Sequence, residues 1–303
     1  MLDIFIIFTM KKKILITGGS GFIASHVADL LTKKGYKVSI FDQKKNKYFN
    51  KKNKFLLGDV NKINHLIRAT KGMEYVYHFA AIADLYSANE NPSNTLKTNI
   101  FGTINILEAC KINKVKKFIF ASSIYALSEQ GGFYSVSKFS SEMIIENYAK
   151  KNNFKFICLR FGSIYGERAN SFNTIQNFIK DAVHRNKILR KSDGNEIRNY
   201  IHVLDTAELC AEVLKKKYSN CYLNIFGPRK IKLKKLLIFI KSCFSNLNLK
   251  FSKKNSLIYN YKLNPFTYKL RKGKSLRLKK YIDIEESLKK LISDEKTLNE
   301  KNR

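Results

Sequence analysis

Tryptophan is absent from the 303 residues, proline occurs 3 times, and 24 acidic residues face 57 basic ones. With so little proline and no Pro/Gly/Ser-rich stretch, a tethered second module is not expected. The five cysteines, Cys110, Cys158, Cys210, Cys221 and Cys243, include no C-x-x-C pair, which excludes a disulfide scaffold or a thiolate zinc site. The five histidines, His26, His65, His78, His184 and His202, show neither H-x3-H nor H-E-x-x-H spacing, so the sequence offers no metal site. Reduced thiols and a cytoplasmic setting are the expectation. No apolar run approaches the roughly 20 residues that span a bilayer. The stretch Ile4 to Phe8 lacks a basic flank and a cleavage site, which argues against a signal peptide. Met10 reads as the natural start, with 1–9 a non-native leader.

The charge of +33 would by itself suggest a polyanion binder. Arginine, however, supplies only 10 of the 57 basic residues. Lysine, asparagine, isoleucine and phenylalanine are abundant together, and all four have A/T-rich codons, so genome composition explains the excess without a nucleic-acid partner. The excess is uneven: 20 basic residues and no acidic one lie between Lys215 and Lys280.

Hydrophobic residues make up 44% of the chain, enough for a sizeable core. Short apolar strands at Lys13–Thr17, Lys37–Asp42, Lys54–Val60, Glu74–Ala81, Lys116–Ser122 and Phe154–Phe161 alternate with helical spacing at Phe22–Lys33, Asn94–Lys111 and Val136–Lys150. Near-continuous apolar strands alternating with helices mean a parallel sheet covered on both faces, a doubly wound α/β (Rossmann) fold. Beyond Gly166 the pattern loosens into shorter helices at Asn173–Arg185, Val203–Lys216 and Lys234–Phe244. The expected division is a dinucleotide domain over 10–166 to which 199–226 returns, a smaller interleaved lobe from 167–198 and 227–293, and a frayed tail at 294–303.

The first strand runs into Thr17-Gly18-Gly19-Ser20-Gly21-Phe22-Ile23-Ala24. Gly19, Gly21 and Ala24 fit G-x-G-x-x-G/A between a strand and a helix, where glycines allow close approach to a pyrophosphate seated on the helix N-terminus. Asp42 ends the second strand about 20 residues later, placed to accept both ribose hydroxyls and to repel a 2′-phosphate, so NAD is favoured over NADP. Asp59, in Gly58-Asp59-Val60, stands at the next strand end, within reach of an adenine amino group.

Tyr134-Ser135-Val136-Ser137-Lys138 forms Y-x-x-x-K. With 16 tyrosines and 47 lysines in the chain, chance alone predicts roughly 2.5 such pairs, and Tyr48/Lys52 and Tyr268/Lys272 are two others. Position distinguishes the third: it opens a helix just after a strand ending Ala121-Ser122-Ser123, which brings Ser, Tyr and Lys to the carboxyl edge of the sheet, where doubly wound folds bind ligands. Here the sequence resembles the extended short-chain dehydrogenase/reductases, in the NAD-dependent epimerase/dehydratase group acting on nucleotide sugars. Further matches are His78-Phe79-Ala80-Ala81, Thr98-Asn99-Ile100-Phe101-Gly102-Thr103, Leu159 to Gly166 and Arg198-Asn199-Tyr200-Ile201-His202-Val203-Leu204-Asp205.

The resemblance implies that Tyr134 is the acid/base, its pKa lowered by Lys138 and the nicotinamide, that Lys138 also holds the nicotinamide ribose, and that Ser123 hydrogen-bonds the reacting hydroxyl. It assigns Gly18, Gly21, Phe22, Ile23, Asp42, Asp59, Val60, Ala80 and Asn99 to NAD, and Ser163, Arg198 and Arg271 to substrate, the arginines clamping a diphosphate. It also implies a homodimer through Asn94–Lys111 and Val136–Lys150, and polysaccharide precursor supply as the setting.

Departures surround the sugar pocket. Ser122-Ser123-Ile124-Tyr125-Ala126-Leu127 replaces S-S-x-x-V-Y, ten residues separate Ser123 from Tyr134 where relatives carry a longer loop, and Ser163 stands where an asparagine is usual. Dehydratases of the group place an Asp-Glu pair directly after the catalytic Ser or Thr, and decarboxylases use a nearby Glu; Ile124 and Tyr125 can do neither job. The remaining set suits an isomerase, most plainly C4 epimerisation of a UDP-hexose. The alternatives are a reductase of a nucleotide-linked keto-sugar and a basic, non-catalytic polyanion-binding relative, the latter disfavoured by the intact Ser123/Tyr134/Lys138 set.

Overall fold

The computed structural model describes residues 12–152, 154–252 and 259–269. The leader 1–9, the tail 294–303 and Arg271 lie outside the described residues. In chain order the elements are β1 (Lys13–Thr17), α1 (Phe22–Lys33), β2 (Lys37–Asp42), β3 (Lys54–Leu57), α2 (Ile63–Thr70), β4 (Tyr75–His78), α3 (Leu85–Glu90), α4 (Pro92–Leu96), α5 (Gly102–Ile112), β5 (Lys117–Ser123), α6 (Gly132–Asn152), β6 (Lys155–Phe161) and β7 (Ser163–Tyr165). Then come α7 (Thr174–Arg185), β8 (Lys187–Arg190), β9 (Ile197–Arg198), β10 (Tyr200–His202), α8 (Val203–Glu212), β11 (Cys221–Ile225), β12 (Ile231–Lys232), α9 (Leu233–Ser242) and β13 (Asn248–Phe251).

Seven strands form one parallel sheet in the order β11-β6-β5-β4-β1-β2-β3. Successive side chains of a strand face opposite ways, and β1 shows the consequence. Ile14 and Ile16 join the core under α1 and α8, with Val27, Leu31, Ala207 and Cys210. Leu15 joins the opposite core under α2, α5 and α6, with Leu66, Ile106, Leu107 and Ile145. Both faces are covered, which is why the strands read as continuous apolar runs. The chain steps outward from β1 through β2 to β3, then crosses to β4 on the other side. The crevice above β1 and β4 is therefore a topological switch point, where ligands bind in such sheets.

The expected helix Asn94–Lys111 is three pieces: α4, a π-turn over Lys97–Phe101, and α5. Side chains hold the extra residue in place. The Asn99 carbonyl accepts from the hydroxyls of Thr103 (2.6 Å) and Ser141 (3.1 Å), drawing it out of the regular ladder. The strands expected at Lys54–Val60 and Glu74–Ala81 stop earlier, at Leu57 and His78, and release Gly58 to Val60 and Phe79 to Ala81 as loops at the crevice.

A smaller lobe carries its own core of Phe178, Ala182, Ile188, Leu233, Leu237 and Leu247. Its strands pair in twos: β8 with β13, β9 with β12 and β7 with β10. Between these segments α8 packs on the sheet, where the Tyr77 hydroxyl donates to the Cys210 carbonyl at 2.6 Å, and β11 extends the sheet beside β6.

α6 is fastened by a buried ion pair. Glu142 is fully buried. Its Oε1 accepts from Ser122 Oγ at 2.6 Å and Arg160 Nε at 3.0 Å, and its Oε2 from Arg160 Nη2 at 2.7 Å. One carboxylate thus ties α6 to β5 and β6. Removing one partner of such a pair strands the other charge in a low-dielectric interior. Glu142→Ala is expected to lower unfolding free energy by about 3–5 kcal/mol, and Glu142→Gln, which keeps acceptor and shape, by less; urea denaturation of the two variants checks the order.

Candidate active site

The turn after β1 closes through Gly21 N–H to the Gly18 carbonyl at 2.9 Å, while Gly18 N–H donates to the Phe41 carbonyl at 2.8 Å. Gly18 has φ +67°, and a Cβ there would lie 2.5 Å from the Ala80 nitrogen. No other residue fits both demands. Gly18 and Gly21 line the crevice, whereas a Cβ on Gly19 would collide with the Ile40 side chain. Gly19, which fits the spacing motif but is not among the residues assigned to the cofactor, secures turn-to-strand packing. At the end of β2 the Asp42 carboxylate accepts from Ser20 N–H at 3.0 Å and Gln43 N–H at 2.7 Å, fixing it at the crevice rim.

The crevice has a volume of about 1360 Å³, above the range of a pocket for one drug-sized ligand, and so has room for a dinucleotide and a second molecule. Gly18, Gly21, Phe22, Ile23, Asp42, Asp59, Val60, Ala80, Ser123, Tyr134, Lys138, Ser163 and Arg198 all line it. Asp59 Oδ1 is held by the Asn61 N–H at 2.9 Å and the Asn61 amide at 3.1 Å. Asn99 is the exception. It is buried, its amide donates to the Ile82 carbonyl and Ser137 Oγ, both at 3.0 Å, and its Oδ1 accepts from Ile82 N–H at 2.8 Å. Those bonds use its amide hydrogens on protein partners. In the fold Asn99 is a strut holding the loop after β4, which carries Ala80 and Ala81.

Ser123 is the last residue of β5, and its Oγ accepts from Tyr125 N–H at 3.2 Å. Tyr134, in the first turn of α6, lines the same crevice. One turn on, Lys138 Nζ donates to the Ala121 carbonyl at 2.8 Å and sits 4.8 Å from the Phe120 ring centroid and 5.8 Å from that of Tyr134. Burial pushes Tyr134 up to about 12, opposed by the Ser123 hydroxyl. Burial pushes Lys138 down to about 8, opposed by the Glu142 carboxylate. The protein alone therefore does not depress Tyr134: desolvation outweighs the Ser123 hydroxyl, and the lowering expected from Lys138 together with the nicotinamide belongs to the cofactor-bound site. His78, bridging Thr17 Oγ1 at 2.7 Å and Thr103 Oγ1 at 3.2 Å, is pushed by burial down to about 3 and stays neutral in the core.

Arg198 also differs from the open fork expected for a diphosphate. Its Nη1 donates to the carbonyls of Ile197 at 2.8 Å and Lys262 at 3.2 Å, its Nη2 to that of Tyr261 at 2.6 Å, and its guanidinium lies 3.8 Å from the Tyr261 ring centroid. Three of five donors are thus engaged by main chain. Sequence reasoning missed the segment responsible. Residues 259–268 cross back to the site: Tyr125 Oη donates to Asn260 Oδ1 at 3.3 Å, Tyr261 stacks edgewise on Tyr125 with centroids 5.3 Å apart, and Thr267 and Tyr268 N–H donate to the Leu127 carbonyl. No motif marks these residues. The one available signal was the tyrosine density at Tyr259 and Tyr261. Among the described residues no group of three or more His, Cys, Asp or Glu is placed to hold a metal, and no helix is long and apolar enough to cross a membrane.

Residues 14–225 match the NAD-dependent epimerase/dehydratase family. The chain belongs to it. NAD is the cofactor of this family, and the Gly18–Ala80 approach and the Asp42 carboxylate fit a dinucleotide. A Methanocaldococcus jannaschii protein named "Putative UDP-glucose 4-epimerase" is 28% identical, covering 92% of this chain and 97% of its own. An Arabidopsis thaliana trifunctional UDP-glucose 4,6-dehydratase/UDP-4-keto-6-deoxy-D-glucose 3,5-epimerase/UDP-4-keto-L-rhamnose-reductase is 31% identical over 72% of this chain, which spans 37% of that longer protein. The crystal structure of Thermotoga maritima UDP-glucose 4-epimerase with UDP-glucose superposes with a TM-score of 0.76 and 26% identity, covering 83% of this chain and 88% of that one. The relatives thus act on nucleotide sugars but differ in reaction.

The Lys138 shift predicts a measurable stability signature. The unfolded chain holds this proton up to about 10.5, whereas the folded protein releases it near 8. Between those values the unfolded state binds more protons, so this contribution to stability rises with pH, and its full cost is present below pH 8. Lys138→Met, which removes the charge but also one hydrogen bond to Ala121, is expected to stabilise the NAD-free protein by about 1–2 kcal/mol at pH 7. The advantage shrinks towards pH 10; urea denaturation at pH 7 and 9.5 measures it.

Proposed function

We propose that the protein is an epimerase inverting C4 of a UDP-hexose by transient oxidation of the sugar. The observation that carries the reading is the convergence of Ser123, Tyr134 and Lys138 on the crevice, with Ile124 and Tyr125 where an eliminating enzyme needs carboxylates. Ile124 is buried, and Tyr125 is aromatic and held by Asn260. Neither can take a proton from a sugar carbon at neutral pH.

Bound NAD supplies the acceptor and later the donor of the hydride at the carbinol carbon, and a positive charge next to Tyr134. Tyr134 Oη takes the proton of the reacting hydroxyl and returns it to the same oxygen when hydride re-enters on the opposite face of the carbon, so no net proton or electron leaves the site. Ser123 Oγ orients that hydroxyl and shares its hydrogen bond with Tyr134. Lys138, held by the Ala121 carbonyl, keeps a cation within reach of the phenol and supplies N–H donors to a ribose. Turning over a keto-sugar between the two transfers needs space, which the crevice volume supports. A homodimer through α5 and α6 is part of the proposal, supported by exposed Phe101 in the π-turn that leads into α5 and by Val136 and Met143 on α6.

The test incubates purified protein with UDP-, GDP- and dTDP-hexoses without added reductant, with Tyr134→Phe in parallel. Expected is an epimeric sugar without net change in NADH, a loss of about 10²–10⁴-fold in kcat for Tyr134→Phe, and a smaller loss for Ser123→Ala. Consumption of NADH with a keto-sugar, and no epimer from any hexose, would assign the reductase reading instead.

A further inference from the structure

The face of α9 turned away from the lobe core has no role in the chemistry above. Leu233 and Leu237 bury against Phe178 and Ile188, anchoring the helix. On its outer side Ile238 is 52% and Phe239 66% exposed. Lys234, Lys235 and Lys241 are exposed around them. Two large apolar side chains adjacent in sequence on a solvated helix carry a standing cost in water, and lysines as their only charged neighbours on the helix do not cover them. The charge is also unbalanced beyond the helix. From Val213 to Ser252 the chain carries ten basic residues and no acidic one. Lys215 and Lys217 pair with Glu212 just before this stretch, and among the described residues no lysine of α9 forms an ion pair. Glu196, whose carbonyl accepts from the Leu233 N–H at the start of α9, has its Oε1 engaged by Arg190 Nη2 at 2.7 Å and Ser192 Oγ at 2.5 Å.

We propose that this α9 face docks the protein peripherally on an anionic lipid surface, with Ile238 and Phe239 entering the headgroup boundary and Lys234, Lys235 and Lys241 against lipid phosphates. A basic, partly apolar helix face is complementary to that surface in both respects: each lysine near an anionic leaflet adds attraction, and apolar side chains below the headgroups add burial. A nucleic acid would be complementary to the lysines but would gain little from the isoleucine. The helix is ten residues long and anchored by its inner face, so the contact is a surface dock and not a span.

The experiment is co-sedimentation of the full chain with vesicles of phosphatidylcholine alone and of phosphatidylcholine with 30% phosphatidylglycerol (about one lipid in three anionic, as on a charged leaflet), using Ile238→Ser/Phe239→Ser and Lys234→Glu/Lys235→Glu variants. Circular dichroism and bound NAD confirm that both variants fold. Expected is binding to the anionic vesicles only, weakened about tenfold or more by either variant and by salt that shortens the screening length. Absence of binding to anionic vesicles overturns the proposal. So does binding that the Ile238→Ser/Phe239→Ser variant leaves unchanged, since that is attraction of general positive charge. Tighter binding to duplex DNA than to vesicles, lost in the lysine variant alone, overturns it in favour of a polyanion site.

Discussion

The docking of α6 onto β5 and β6 through the buried Glu142 carboxylate is the constraint on which the site depends. Ser122 and Arg160 are opposite each other in the β5–β6 register, so a single carboxylate from the helix closes on two adjacent strands. Ser123 is the next residue along β5, and Tyr134 and Lys138 lie two turns and one turn before Glu142 on α6. A slip of one residue would turn Ser123 to the other face of the sheet and rotate Tyr134 away by about 100°. The distances among the three groups are thus set by an ion pair that touches none of them.

That fixation makes an unfavourable electrostatic arrangement persist. Lys138 sits buried on a main-chain carbonyl and Tyr134 sits half-buried beside it, and both are displaced towards their neutral forms. A solvated site would relax such a pair; here the helix cannot move. The site in the protein alone is poised but not activated, and a bound cationic ring is the natural complement to such a phenol. The Gly18 turn packs directly against Ala80, on the loop that Asn99 holds. Binding and chemistry share one strut.

How much of this could be read from the chain follows from how local each determinant is. β1, α1 and β2 were legible to the residue, because continuous apolar runs bounded by glycines leave few alternatives. The parallel sheet and the dinucleotide crevice followed from alternation and the glycine turn. The π-turn was not legible, since its cause is hydrogen bonding from Ser141 on another helix. The strut role of Asn99 was hidden for the same reason: a polar residue in a motif looks alike whether it faces ligand or loop. Arg198 is paired with residues more than sixty positions away, and nothing in Arg198-Asn199-Tyr200 announces that its guanidinium lies on Tyr261. Asn260 and Tyr261 reach the site by tertiary packing alone, without a motif.

The central claim is that one site oxidises and re-reduces the same carbon. The most direct measurement follows a UDP-hexose carrying deuterium at C4 through the reaction in ordinary water, with the product read by mass spectrometry and NMR. The account predicts an inverted C4 that keeps its deuterium, with no hydrogen gained from solvent at C4 or C5. Loss of the label to free NADH, or solvent hydrogen entering at C5, would contradict it.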